Sequence, residues 1–243
     1  MSRRATASAL FGVFALVAVA HLVAQLVAAE STFVDVSQWL LMPLLALGLA
    51  LATPLPRGRL VTFTLVALGF SWAGDLAPDL VDGDASFLVL VGFFVCAQIV
   101  YIVAFLPYRR DSALHTRPWV VAVYVAAVVA LTAVCASGAG VLVVPVAVYG
   151  TCLAAMAVLA TGVSRSVAIG ALLFVVSDSL IAVRAFVDGI ELPAMGFWIM
   201  ATYIAAQVAI VRGVLTAHDR GGRSYRSSSS LATATDVGAS SDG

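Results

Sequence analysis

Residues 60–77, LVTFTLVALGFSWAGDLA, and residues 167–186, VAIGALLFVVSDSLIAVRAF, decide how this chain folds. Each is apolar over the ~20 residues that a helix needs to cross a hydrocarbon core of ~30 Å. Each also carries one aspartate, Asp75 in the first and Asp178 in the second. An ionised carboxylate at membrane depth is costly unless it is paired, hydrated or protonated, so such residues mark function by default. Two of them on separate spans can form an acid/base pair.

The rest of the chain has the same character. Of 243 residues, 62% are hydrophobic and 11% charged, and the mean hydropathy is +1.07. Soluble domains carry about 25% charged residues, so this is an integral membrane protein. Eight segments are long and apolar enough to span: 9–29, 36–53, 60–78, 86–107, 118–136, 140–160, 166–187 and 193–214. Only a helix satisfies its backbone within one such segment. The expected fold is an all-α bundle of eight transmembrane helices. The expected division is a short N-terminal stretch (1–8), the membrane domain (9–216) and a polar, Ser/Gly/Thr-rich disordered tail (217–243). Val27-Ala28-Ala29 loosely resembles a signal-peptidase site, but the apolar run before it is long, so the first segment reads as a retained helix.

Every basic residue is arginine, and the arginines fall at alternate ends of the spans. Acidic residues such as Glu30, Asp79, Asp82, Asp84 and Glu191 occupy the other ends, where Asp79, Asp82 and Asp84 read as a solvated outer loop. The positive-inside rule then places both termini in the cytoplasm of a multi-pass plasma-membrane protein. Arg184 alone breaks the alternation. It reads as an interfacial anchor or as the partner of a carboxylate or phosphate.

Asp75 follows Arg59 by 16 residues and Asp178 follows Arg165 by 13. At ~1.5 Å per residue both lie roughly 20–24 Å from the cytoplasmic side. Further polar residues form helical stripes: His21 with Gln25, Ser71 with Asp75, Gln98 with Tyr101, and Tyr203 with Gln207. Ser177 and Ser179 flank Asp178. In a bilayer these faces point inward, which describes a polar pocket. Each residue also has a plainer reading as a contact between helices.

Several chemistries are excluded. A retinal Schiff base needs a lysine, and the chain has none. Formal net charge is zero, so no basic face points to nucleic acid. Cys96, Cys135 and Cys152 are scattered in apolar stretches and read as packing residues. Neither a metal-ligand cluster, a nucleotide-binding glycine loop nor a serine-hydrolase elbow is present. No metal or organic cofactor is expected. The Gly-x-Gly-Asp and Tyr-Asp signatures of intramembrane aspartyl proteases are missing around Asp75 and Asp178.

The ordered set LLMPLLALGLA (40–50), GFSWAGDLAPDL (69–80), QIVYIVAF (98–105), SDSLIAVRAF (177–186) and TYIAAQVAIVRG (202–213) resembles the YhhN-like lysoplasmalogenase family, from about residue 37 to 215. The resemblance implies eight helices and hydrolysis of the vinyl ether bond of a lysoplasmalogen, giving a fatty aldehyde and a glycerophospho-alcohol. It implies a lipid substrate in the bilayer, and it maps the family's aspartates onto Asp75 and Asp178. Tyr101, Tyr203 and Gln207 also map. The chain departs from the family where Gln98 replaces a frequent His, and where Gln38-Trp39 replace a Lys-Pro pair.

Vinyl ethers are cleaved by protonation of the β-carbon and attack of water on the resulting oxocarbenium ion. Asp75 and Asp178 are the candidate acid/base pair. Tyr101, Gln98, Tyr203 and Gln207 are candidates for orienting water or substrate, with Ser71, Ser177 and His21 behind them and Arg184 as a further candidate contact. The alternative is a proton-coupled transporter or a lipid-binding protein, since carriers also use intramembrane carboxylates.

Overall fold

The computed structural model describes residues 2–81, 84–190 and 192–239. Asp82, Glu191 and the last four residues of the expected tail lie outside these. Among the described residues eight long helices follow one another: α1 (Arg3–Val27), α2 (Thr32–Ala52), α3 (Arg59–Leu76), α4 (Asp84–Phe105), α5 (Pro118–Ala139), α6 (Val143–Ala160), α7 (Arg165–Phe186) and α8 (Met195–Ala239). Single 3-10 turns and one short helical turn (Ala113–Thr116) fill the connections. No strand occurs among the described residues.

Seven helical stretches among these residues are long and apolar enough to cross a membrane. The fifth, Pro118–Ala160, is 43 residues long. It breaks at Gly140, whose φ of 50° is a left-handed value that favours glycine. The break divides it into α5 and α6, which pack against each other. The protein is therefore an all-helical, multi-pass membrane protein. Helix α1 begins at Arg3, ahead of the apolar run at 9, because the Ser2 hydroxyl caps it by accepting the Ala5 N–H at 3.3 Å.

The bundle closes as a ring. Consecutive helices α1 to α4 pack in order, α4 meets α6, and α6 and α5 meet α7. Helix α8 lies along α7 and closes the ring against α1, α2 and α3. The α7–α8 seam is the most extensive contact, and small residues let the two helices approach closely. A Cβ added at Gly170 would sit 2.7 Å from the Ala206 carbonyl oxygen. One added at Gly213 would sit 2.9 Å from the Val167 nitrogen.

Burial follows helical spacing. In α3 the buried face is Leu60, Val61, Thr64, Ala67, Leu68, Ser71, Gly74 and Asp75. In α7 it is Val167, Gly170, Ala171, Phe174, Ser177, Asp178 and Phe186. Both aspartates thus belong to the inward stripe of their helix. Large apolar side chains such as Leu16, Val27 and Trp119 are exposed on the outside, as a lipid-facing surface requires. Helix α5 is the most peripheral, burying only Cys135 and Ala139.

Arginines close one end of the bundle. Arg3 donates to the Ala50 and Thr53 carbonyls at 3.2 and 3.3 Å, and Arg57 donates to Ala50 at 2.7 Å. Cations there satisfy the open carbonyls at the end of α2 and suit its dipole.

Candidate active site

Two carboxylates, three phenols and two amides form the polar interior. Asp75 on α3 is 6% exposed and accepts a hydrogen bond from the Tyr203 hydroxyl on α8 at 2.9 Å. One turn further along α8, Gln207 reaches two other helices. Its amide nitrogen donates to Ser71 on α3 at 3.1 Å, and its amide oxygen accepts from Tyr101 on α4 at 2.7 Å. The i,i+4 spacing of Ser71 with Asp75, and of Tyr203 with Gln207, lets α3 and α8 meet in two polar layers. Ser71, Gln207 and Tyr101 are fully buried. A polar network of this kind is stable only when its members are paired, and these are.

Asp178 on α7 is also 6% exposed and accepts a hydrogen bond from the Tyr149 hydroxyl on α6. Gln98 on α4 lies beside the same phenol, yet its amide nitrogen and oxygen have no well-formed hydrogen bond among the described residues. Gln98 is fully buried. Each carboxylate is thus held by a tyrosine from a different helix. The Phe94 ring joins the two halves: it packs at 5.8 Å on Tyr203 and at 6.1 Å on Phe174, which itself lies 5.6 Å from Tyr203.

A cleft opens onto Asp178. It is lined by Phe87, Leu90, Val91 and Phe94 of α4, Pro145, Val146 and Tyr149 of α6, and Asp178, Ile181, Ala182 and Phe186 of α7. Its enclosed part is small, about 30 Å³, and the rest is open to the flank. Asp75 is not among the lining residues.

The other candidates lie elsewhere. Ser177 donates to the Ile199 carbonyl at 3.0 Å and ties α7 to α8. His21 is fully buried in α1 and bonds through Nδ1 to Ser37 on α2 at 2.8 Å. Ser37 in turn donates to the Val34 carbonyl at 3.0 Å, so Nδ1 carries the proton and Nε2 is an acceptor without a partner among the described residues. Arg184 is exposed in the last turn of α7, at a corner shared with Gly196 and Gln25. Asp79 is exposed and accepts from the Trp39 indole at 2.9 Å. Among the described residues no group of three His, Cys, Asp or Glu side chains is arranged to hold a metal ion.

Tyr149 and Ser37 are the two polar partners that sequence reasoning passed over. Tyr149 sits in the run VVPVAVYGTCLAAMAVLA, with no amide, carboxylate or hydroxyl three or four residues away to mark a polar face. The only available signal was a phenol inside an otherwise apolar span.

A helical membrane bundle with two buried carboxyl groups on separate helices, each bonded to a tyrosine, describes this protein. Residues 34–214 match the YhhN family, and the chain belongs to that family. It is 31% identical over 187 residues to proteins named lysoplasmalogenase from Mycobacterium bovis and Mycobacterium tuberculosis, over 71% of this chain and 67% of each relative. No solved structure matches it. Helix α1, with His21, precedes the matched region, which begins within α2.

Proposed function

We propose that this protein is a lysoplasmalogenase-like hydrolase of the plasma membrane, crossing it eight times with both termini in the cytoplasm. It would cleave the vinyl ether bond of a lysoplasmalogen with water, giving a fatty aldehyde and a glycerophospho-alcohol. The observation that carries this reading is the pair Asp75 and Asp178, buried on separate helices and each anchored by a phenol. Membership of the YhhN family and the lysoplasmalogenase names of the mycobacterial relatives support the substrate class.

The chemistry asks for few groups. One carboxylic acid delivers a proton to the β-carbon of the enol ether, and the ether oxygen shares the positive charge that develops on the α-carbon. A carboxylate stabilises that cation, much as paired carboxylates do for the oxocarbenium-like states of glycosidases. Water adds to the α-carbon, and the hemiacetal collapses to aldehyde and alcohol. In this scheme Tyr203 and Tyr149 hold the carboxyl groups in fixed rotamers, so that no reorganisation is needed as charge forms. Gln207, Ser71 and Tyr101 brace Tyr203 from one turn away.

The deciding experiment is aldehyde release from a defined lysoplasmalogen by purified protein, compared with Asp75→Asn and Asp178→Asn. Loss of aldehyde in both variants, with folding retained, is expected. Full activity in both would end the proposal. Proton-coupled uptake into proteoliposomes without turnover would instead establish a carrier.

A further inference from the structure

The two carboxyl groups are not equivalent in their surroundings. Asp75 is enclosed by α3 and α8 behind Tyr203, and it borders no part of the cleft. Asp178 forms part of the cleft wall, together with its phenol Tyr149. Of the eleven residues around that cleft, these two alone carry polar side chains. The other nine are apolar, and they follow one another outward from Asp178: Ile181, Ala182 and Phe186 along α7, with Phe94, Val91, Leu90 and Phe87 opposite on α4.

The length and boundaries of the cleft suit one kind of occupant. From Asp178 to Phe186 is eight residues, roughly 12 Å of helix at ~1.5 Å per residue. Ring pairs between α4 and α7 mark both ends. Phe87 and Phe186 meet edge to face at 5.1 Å, and Phe94 and Phe174 at 6.1 Å. Most of the lining residues between them are only half-buried, so the cleft is reached from the flank of the bundle, where lipid lies. Gln98, fully buried next to the Tyr149 phenol, has an amide donor and an acceptor without a partner among the described residues. An apolar trough with a carboxyl and a phenol at one end matches a molecule with a long alkyl chain and an oxygen function at its head.

The geometry points to the α4–α6–α7 cleft as the binding site for the alkyl chain of a single-chain lipid, entering sideways from the bilayer, and to Asp178 as the carboxyl group that meets its head. This rests on the vinyl ether reading above for the nature of the reacting bond. Asp178 then gives its proton to the β-carbon. Water adds to the oxygen-bearing α-carbon, the water proton returns to the Asp178 carboxylate, and the hemiacetal hydroxyl proton leaves with the alcohol. Asp75 acts from behind as a charge and does not touch substrate. Ala182, the smallest side chain of the wall, sets how wide a chain the trough accepts.

The test separates binding from reaction. The probe is a lysophospholipid with a saturated O-alkyl chain bearing a mid-chain diazirine, which cannot be hydrolysed at a vinyl ether. On irradiation with the full-length protein, crosslinks are expected in peptides containing residues 87–94, 145–149 and 181–186. Ala182→Leu should reduce them several-fold without moving them. Crosslinks concentrated instead on the shallow α1–α2 groove of Leu16, Phe33 and Leu40 would overturn the assignment. With a vinyl ether substrate, Asp178→Asn should lower kcat at least tenfold more than Asp75→Asn while leaving the crosslinks intact. The reverse order would assign the acid to Asp75 and refute this part. Wild-type protein that crosslinks in the cleft but releases no aldehyde would remove the reaction and keep the alkyl-chain site.

Discussion

Gly170→Ala tests whether the site depends on the α7–α8 seam. The added Cβ would lie 2.7 Å from the Ala206 carbonyl oxygen, 2.8 Å from Ile210 Cγ1 and 2.9 Å from the Ile210 nitrogen. Ordinary contact begins at 3.4 Å, so α8 must retreat by roughly 0.7 Å near Ala206. Two of the three obstacles are backbone, which cannot rotate away. Overpacking of this kind costs about 1–3 kcal/mol. Ala206 lies between Tyr203 and Gln207, so the retreat moves the phenol on Asp75 and the amide shared by Ser71 and Tyr101. The Tyr203–Asp75 bond is 2.9 Å long. A shift of about 0.7 Å exceeds the ordinary spread of O–H···O lengths, roughly 2.5–3.0 Å, so the bond does not keep its geometry. Misplacement by about 1 Å can cost on the order of 100-fold in rate, so a loss of ten- to a hundredfold in aldehyde release is expected. Thermal unfolding in detergent would report the stability cost alongside. The control is Gly12→Ala on α1, where an added Cβ meets nothing within 4 Å. If Gly170→Ala matched that control in both stability and rate, the seam would not position the site.

Tyr149→Phe removes the only hydrogen bond to Asp178 seen among the described residues; about 10- to 100-fold in kcat is expected, on the scale of a hydrogen bond to a charged group, with KM little changed in steady-state kinetics. Tyr101→Phe leaves the buried Gln207 oxygen without its donor, which should lower stability by about 1–3 kcal/mol in a denaturant titration. Trp39→Phe breaks only an exposed bond to Asp79, so its effect should stay within about 0.5 kcal/mol. Reporter domains fused after Arg110 and after Arg220 should be active as cytoplasmic reporters, and one inserted after Asp188 as an external reporter; the opposite pattern would invert the proposed topology.

Much of this site was legible because helical periodicity and polarity point the same way in a bilayer. Ser71 and Asp75 announced an inward face of α3, and Tyr203 and Gln207 one of α8; the structure joins these pairs to each other. The partner of Asp178 was not legible. Tyr149 has no polar neighbour on its own face, so only the crossing of α6 and α7 reveals it. His21 shows the opposite case. Its depth resembled that of the aspartates, but its hydrogen bond runs to Ser37 across the α1–α2 contact, and depth alone does not tell which neighbour a side chain meets. Hydropathy alone merges Pro118–Ala160 into one stretch, since the turn at Gly140–Leu142 is as apolar as the helices it joins. The sequence nevertheless reads as two segments, 118–136 and 140–160, and the helix breaks at Gly140.

The flank-facing cleft has a consequence for kinetics. A substrate that arrives through the side of the bundle is supplied by two-dimensional diffusion, so its relevant concentration is a mole fraction in the lipid or micelle. Under the proposed function, rates of aldehyde release should follow surface dilution: adding micelles at constant total substrate slows turnover, although nothing in the aqueous phase has changed. Detergents with a single straight alkyl tail should compete for the trough and depress turnover, whereas rigid steroid-based detergents should not.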